Sequence, residues 1–223
     1  MHPPTLRAVS FTDPTESTQP AANLVSLRTR AGLVVALAVL PAGALTASFG
    51  AEMEAVPLPP EVKAVWSLDQ AWREQTATRE RISLNGLWRW QPAAGTAAEV
   101  PTNDWGYFKV PGAWPGVTDY MQKDCQRLYP HPQWKDTKLS GVLAAWSGRA
   151  IHVPASWAGR RLLLRAEHLN SLGTVFVDGA KVGELRFPGG ELDLTDVCRP
   201  GATHELALQI VALPLKGVLL SYT

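Results

Sequence analysis

The side chains of this chain that carry reactive chemistry are few and scattered. Four carboxylates fall in one stretch, Glu184, Glu191, Asp193 and Asp196, and two carboxyl groups held about 5 Å apart can divide nucleophile and acid/base work between them. Their positions argue for a plainer use. They sit on hairpin arms and strand ends with alternating orientation, where a carboxylate keeps an outer face wet or caps a turn. His131, His152, His168 and His204 are isolated from one another, with no partner at helical or ligand-pair spacing, so no metal set is read. There is no Ser-His-Asp set with a nucleophile elbow and no glycine-rich phosphate loop. No catalytic residue, metal or cofactor is expected from these residues.

The other chemistry on offer is recognition. Residues 111–146 form the longest stretch without strand alternation and hold Trp114, Tyr120, Tyr129, His131 and Trp134. Tyr120, Tyr129, His131 and Trp134 can form an aromatic platform with polar edges, suited to a sugar ring or a neighbouring domain, and Trp114 is a further candidate for such contact; long irregular segments in compact domains tend to be functional. It can equally fold back over a sheet edge, its aromatics covering the core. The chain has nine Trp, and an indole serves either purpose, stacking on flat ring faces or filling a core. Cys125 and Cys198 are too few for a disulfide scaffold and read as buried or free thiols.

The elements that must position these groups are strands. Within residues 161–212, Leu162, Leu164 and Ala166 alternate with Arg161 and Arg165, and Leu206, Leu208 and Ile210 alternate with Glu205 and Gln209. Between them, Val175-Phe176-Val177 runs into Asp178-Gly179, the dipeptide suited to a two-residue hairpin turn. Gly189-Gly190 marks another turn, after which Leu192 and Leu194 point one way. Alternation of this kind puts one face in water and one in a core, which favours antiparallel pairing. The fold class expected is all-β, an antiparallel β-sandwich.

The front of the chain differs in kind. Residues 1–26 are rich in Pro, Thr, Ser and Gln without periodicity and read as a disordered extension. Residues 27–50 carry Arg28 and Arg30, an apolar run and a small-residue exit, the layout of a secretory signal, with candidate cleavage sites at Ala42-Gly43-Ala44 and Ser48-Phe49-Gly50. A start at Val25 or Leu27 would give that signal its usual place. The apolar run is too short for a stable membrane span. Residues 51–81 read as a Pro-marked linker, with Ser67-Leu68-Asp69-Gln70 a capping box for a short helix, and residues 82–223 as the sandwich domain. A net charge of +1 over 223 residues gives no basic field and removes the case for a nucleic acid partner.

Five stretches in order carry a family likeness. Leu84-Asn85-Gly86-Leu87-Trp88-Arg89-Trp90, then Val110-Pro111-Gly112-Ala113-Trp114, then Ala145-Trp146-Ser147-Gly148-Arg149 with Ile151-His152-Val153-Pro154, then Val175 to Gly183, then Gly189 to Val197 with Pro200-Gly201 and the following strand resemble the N-terminal sugar-binding domain of glycoside hydrolase family 2. That family holds β-galactosidases, β-glucuronidases and β-mannosidases. Ser147 stands where the family usually has Tyr, and Asp178 where it usually has Asn. The resemblance implies a galactose-binding-like jelly roll. It also implies a role outside the reaction centre, because the family's catalytic glutamates lie in a later TIM barrel beyond an immunoglobulin-like sandwich. On that reading the chain is an exported, non-catalytic fragment or split subunit of a β-glycosidase, with carbohydrate and a separate catalytic barrel as its partners. A free-standing exported carbohydrate-binding module, or a structural sandwich with no sugar role, are the alternatives.

Overall fold

A computed structural model of the chain describes residues 6–11, 53–95, 99–112 and 128–212. The chain divides into two units, Met1–Asp13 with Gly50–Thr223, and Pro14–Phe49; every described residue belongs to the first. Trp114, Tyr120, Cys125 and the signal-like segment lie outside the described residues.

The alternation read in residues 161–212 produces five strands, β8 (Arg161–Ala166), β9 (Leu172–Val177), β10 (Ala180–Arg186), β11 (Gly190–Asp193) and β12 (Thr203–Val211). Ahead of them come β1 (Leu6–Phe11), β2 (Arg73–Gln75), β3 (Arg79–Ser83), β4 (Gly86–Pro92), β5 (Gly106–Val110), β6 (Leu128–Tyr129) and β7 (Ala144–His152). They form two sheets, one ordered β11-β8-β1-β3-β2 and one ordered β10-β9-β12-β7-β4-β5-β6. Each pairing between these strands is antiparallel. The expected antiparallel sandwich is present.

Its core forms where alternating positions of the two sheets meet. Ile82, Leu162, Leu164 and Ala166 from the smaller sheet pack with Trp88, Ile151, Val175, Val177, Leu206 and Leu208 from the larger. The hairpin between β9 and β10 turns as its sequence demands: Asp178 at φ 50° and Gly179 at φ 82° are both left-handed, and Val177 pairs with Ala180. Gly189, at φ 157°, admits no side chain because a Cβ there would strike the Ala166 carbonyl oxygen.

Three readings of the front half change in detail. Ser67 to Gln70 forms a single turn closed by the Gln70 amide on the Ser67 carbonyl at 3.2 Å rather than a helix; β2 begins at Arg73, too soon for a second turn. The stretch 51–81 carries β2 and most of β3, and its Trp66, Leu68 and Ala71 pack on the core. Within the segment read as disordered, Leu6–Phe11 forms β1, pairing with β3 on one side and β8 on the other. Local composition is a poor guide there because the hydrogen-bonding partners come from strands far along the chain.

Candidate functional site

Among the five residues read as candidates for sugar or interdomain contact, Trp134 is a core residue. Its indole N–H donates to the Asp104 carbonyl at 2.8 Å, its ring meets Trp90 edge-on at 5.2 Å between centroids, and it is buried with Phe108, Val142 and Ala145. Nearby, His131 Nδ1 accepts the Gln133 amide at 3.2 Å and lies 3.6 Å from Asp104 Oδ1. Tyr129 pairs with Tyr107 across β6 and β5. The loop therefore folds onto the sheet end through Trp134, leaving Tyr129 and His131 half-buried at its margin. Trp88, Trp90, Trp105, Trp146 and Trp157 are buried too, so indole here mostly builds the core.

Three of the four carboxylates read as unreactive, Glu184, Glu191 and Asp193, are engaged in ion pairs. Glu184 lies 2.9 Å from Lys181 and 3.3 Å from Arg186, which hold its carboxyl below the usual range. Glu191 faces Arg165 at 3.8 Å. Asp193 accepts the Thr195 hydroxyl at 2.6 Å and Arg161 at 2.8 Å, which draws its pKa down to about 2. With Gly159, Arg160, Asp196 and Pro200, these residues line an open cleft of 470 Å³. No two of its carboxylates are freed for acid/base work.

A more constrained polar group is Arg149, which the sequence offered only as the last residue of a family-like stretch. It is buried inside the sandwich. One guanidinium nitrogen donates to the Leu84 carbonyl at 2.8 Å and the Asn85 carbonyl at 3.1 Å; the other donates to Leu87 at 2.8 Å and Ala64 at 3.4 Å. Its charge centre lies 5.4 Å from the Trp88 ring centroid. Gly86, at φ 137°, brings the loop this close, since a Cβ there would sit 3.1 Å from the guanidinium. Burial, with a contribution from Arg89, lowers the Arg149 pKa to about 10, so it stays cationic at neutral pH.

On the opposite face of the larger sheet, register places Gly148, Arg89, Tyr107 and Tyr129 in one row across β7, β4, β5 and β6. Arg89 pairs with Glu205 of β12 across β7; Gly148 and Ala150 are the β7 residues paired with Arg89 and Glu205. Burial pushes the Tyr107 hydroxyl up, with Arg89 opposing, so it remains a donor at neutral pH. This row, with Glu205 one register step away on the same face, brings together a cation, a carboxylate, phenolic hydroxyls and aromatic faces. Arg89, Tyr107 and Glu205 are positions that sequence reasoning passed over, although Arg89 between Trp88 and Trp90 shows the outward alternation that marks them.

One arrangement mimics a Cys-His-Asp nucleophile set without its chemistry. Asp178 Oδ2 lies 2.7 Å from His204 Nδ1, but His204 Nε2 accepts the Arg199 amide at 2.8 Å and is occupied. Cys198 is buried, and desolvation with the nearby Asp178 charge pushes its pKa up to about 12. A reactive thiol needs the reverse shift. Among the described residues no group of three or more His, Cys, Asp or Glu is placed to hold a metal ion, and no helix is long and apolar enough to cross a membrane.

Comparison with known proteins locates similar shapes. No family model and no curated protein matches the chain. Among solved structures, it is similar to a β-glucuronidase from an uncultured Clostridium species at 18% identity, with a TM-score of 0.45 over 67% of this chain and 24% of that one. It is also similar to a β-glucuronidase from Ruminococcus gnavus in complex with D-glucuronic acid, at 19% identity and a TM-score of 0.45 over 58% and 21%. A third is the Faecalibacterium prausnitzii β-glucuronidase, at 18% and 0.43 over 69% and 22%. The chain spans about a quarter or less of the length of these enzymes.

Proposed function

We propose that this chain is a non-catalytic, sugar-binding sandwich of the glycoside hydrolase family 2 type, working beside a catalytic barrel supplied by a separate segment or subunit. The observation that carries the reading is the Arg149 clasp. Two of the stretches that resemble the family, 84–90 and 145–149, are joined by three hydrogen bonds from one guanidinium. Motif residues spent this way build a scaffold, and Glu184, Glu191 and Asp193 are spent on ion pairs with neighbouring cations. Sugar contact falls to the row of Arg89, Tyr107, Tyr129 and Glu205.

The test is a tryptophan-fluorescence titration of the purified chain with β-glucuronides, β-galactosides and β-mannosides, run beside a turnover assay on the same compounds. Saturable binding weakened by Tyr107→Phe and Arg89→Ala, with no turnover, is the expected result. Hydrolysis by this chain, or no response to any of the sugars, overturns the proposal.

Export through residues 27–50 belongs to the same reading. A mature amino terminus after Ala44 or Gly50, read by mass spectrometry, supports it; an intact Met1 overturns it. Such processing would remove Leu6–Phe11, the strand between β3 and β8.

A further inference from the structure

The smaller sheet is completed by a strand that does not belong to it by sequence. Its other members lie between residues 73 and 193, whereas β1 enters from residues 6–11 across the long connection 12–52. Leu6 to Phe11 pairs with β8 from Ala166 to Arg161, and Arg7 to Phe11 pairs with β3 from Ser83 to Arg79. Removing β1 leaves two strand edges facing each other across two strand spacings, about 10 Å. Each carries a row of unpaired backbone donors and acceptors.

That gap is braced without β1. Glu80 of β3 accepts the indole N–H of Trp157 at 2.7 Å and faces Arg160 at 3.4 Å, both in the turn leading into β8. The brace ties the two edges at the end where Phe11 pairs. Three arginines of the edge strands face carboxylates of their outer neighbours: Arg81 faces Glu74 of β2, and Arg161 and Arg165 face Asp193 and Glu191 of β11. Ile82, Leu162, Leu164 and Ala166, buried against the larger sheet, hold both edges from below. An acceptor already fixed in width and charge gains affinity by not having to be ordered.

We propose that the gap between β3 and β8 is a strand-acceptor site, and that Leu6–Phe11 occupies it as a separable peptide held by main-chain hydrogen bonds. Strand addition of this kind draws affinity from the backbone ladder and selectivity from alternate side chains. Its covalent link to the domain is dispensable. A chain processed after residue 44 or 50 would present the site empty, ready for the same segment supplied in trans.

The experiment starts from the full chain with a specific protease site placed within residues 14–49. After cleavage, the fragment bearing Leu6–Phe11 is expected to co-elute with the domain. Excess isotope-labelled peptide of residues 1–13 should replace it, whereas the same peptide with Ala8→Pro should fail by at least tenfold, because proline cannot donate to a central ladder. Amide exchange at β3 and β8 should rise sharply when the fragment is diluted away and fall when the peptide is restored. A fragment that leaves at once with amide protection in β3 and β8 unchanged overturns the proposal. So does one that stays bound but never exchanges with the labelled peptide.

Discussion

Asp178 and His204 lock the β9–β10 turn to the strand that follows it in space. Oδ2 of Asp178 lies 2.7 Å from Nδ1 of His204, and Oδ1 accepts the Glu205 amide at 2.8 Å. With Nε2 of His204 accepting the Arg199 amide, the imidazole proton is on Nδ1 and is donated to Asp178. One ring thus adds a side-chain link where the β9–β12 ladder already brings the two segments together. His204→Phe keeps the volume but strands the Arg199 amide and the Asp178 carboxylate, and should cost about 2 kcal/mol. Asp178→Asn preserves the left-handed turn and the bond to Glu205, and should cost about half as much on the same scale. Urea midpoints followed by tryptophan fluorescence check both; equal loss in the two variants would mean that the turn conformation, not the ring, is what matters.

Arg149 provides the second prediction. Its guanidinium serves four carbonyls from two fixed nitrogens, a geometry an ammonium cannot copy. Arg149→Lys should lower stability by about 2 kcal/mol, and Arg149→Met, which takes this donor from the Asn85 and Leu87 carbonyls while Leu84 keeps the Trp88 indole, by about 3 kcal/mol, since losing a charged donor to buried acceptors carries the larger penalty. Thermal unfolding of the two variants measures the difference, and a Lys variant as stable as the parent would show that charge alone holds the clasp.

The parts of this fold that sequence made legible are those whose cause is local. Asp178-Gly179 announces its turn because only a few residues tolerate φ near 50° and 82°, and the Leu206, Leu208 alternation shows one dry face wherever the strand sits. The parts that stayed hidden depend on distant partners. Leu6–Phe11 is a strand because β3 and β8 offer it two edges, which nothing in residues 1–26 records. Trp134 looks like any exposed loop aromatic until Trp90 and the Asp104 carbonyl are seen beside it, and Arg149 looks like a surface charge until Gly86 lets four carbonyls close around it. Tyr120, read with Trp134 as part of one platform, lies outside the described residues, as does Trp114.

Trp134 yields a direct check on that division. Trp134→Ala should destabilise the domain by about 3 kcal/mol, the usual cost of emptying a buried indole, while leaving any sugar affinity of the folded protein within twofold. Gly106→Ala should behave similarly, because a Cβ there meets the Tyr129 carbonyl and lies 2.6 Å from the Trp134 ring. Equilibrium denaturation with a parallel fluorescence titration separates the two effects; a selective loss of sugar binding at unchanged stability would return Trp134 to the recognition surface.

Cys198 should behave as an inert core group. Its thiol, pushed up to about 12 mainly by burial, stays protonated through the physiological range and well above it, and thiolate is the form that reacts. Peptide mapping after iodoacetamide treatment should find Cys198 unmodified in native buffer at pH 8 and fully modified in denaturant. Modification in native buffer would indicate that the strand ends around residue 198 open readily.

Acid should expose the weakest tie of the smaller sheet. Thr195 links two strands: its hydroxyl oxygen accepts the Leu162 amide at 3.0 Å and its proton goes to Asp193 Oδ1 at 2.6 Å. These bonds, with Arg161, bring the Asp193 pKa from 3.8 to about 2. A carboxylate depressed on folding binds a proton less readily than in the unfolded chain, so its stabilisation is complete above about pH 4 and is lost as pH falls towards 2. Because the carboxylate is nearly half exposed, solvent screening holds the effect to about 0.5–1 kcal/mol. Asp193→Asn should therefore flatten the stability profile between pH 4 and 2 and leave the slope above pH 5 unchanged. A parent and variant with parallel profiles through that window would place the acid sensitivity of the sheet on another carboxylate.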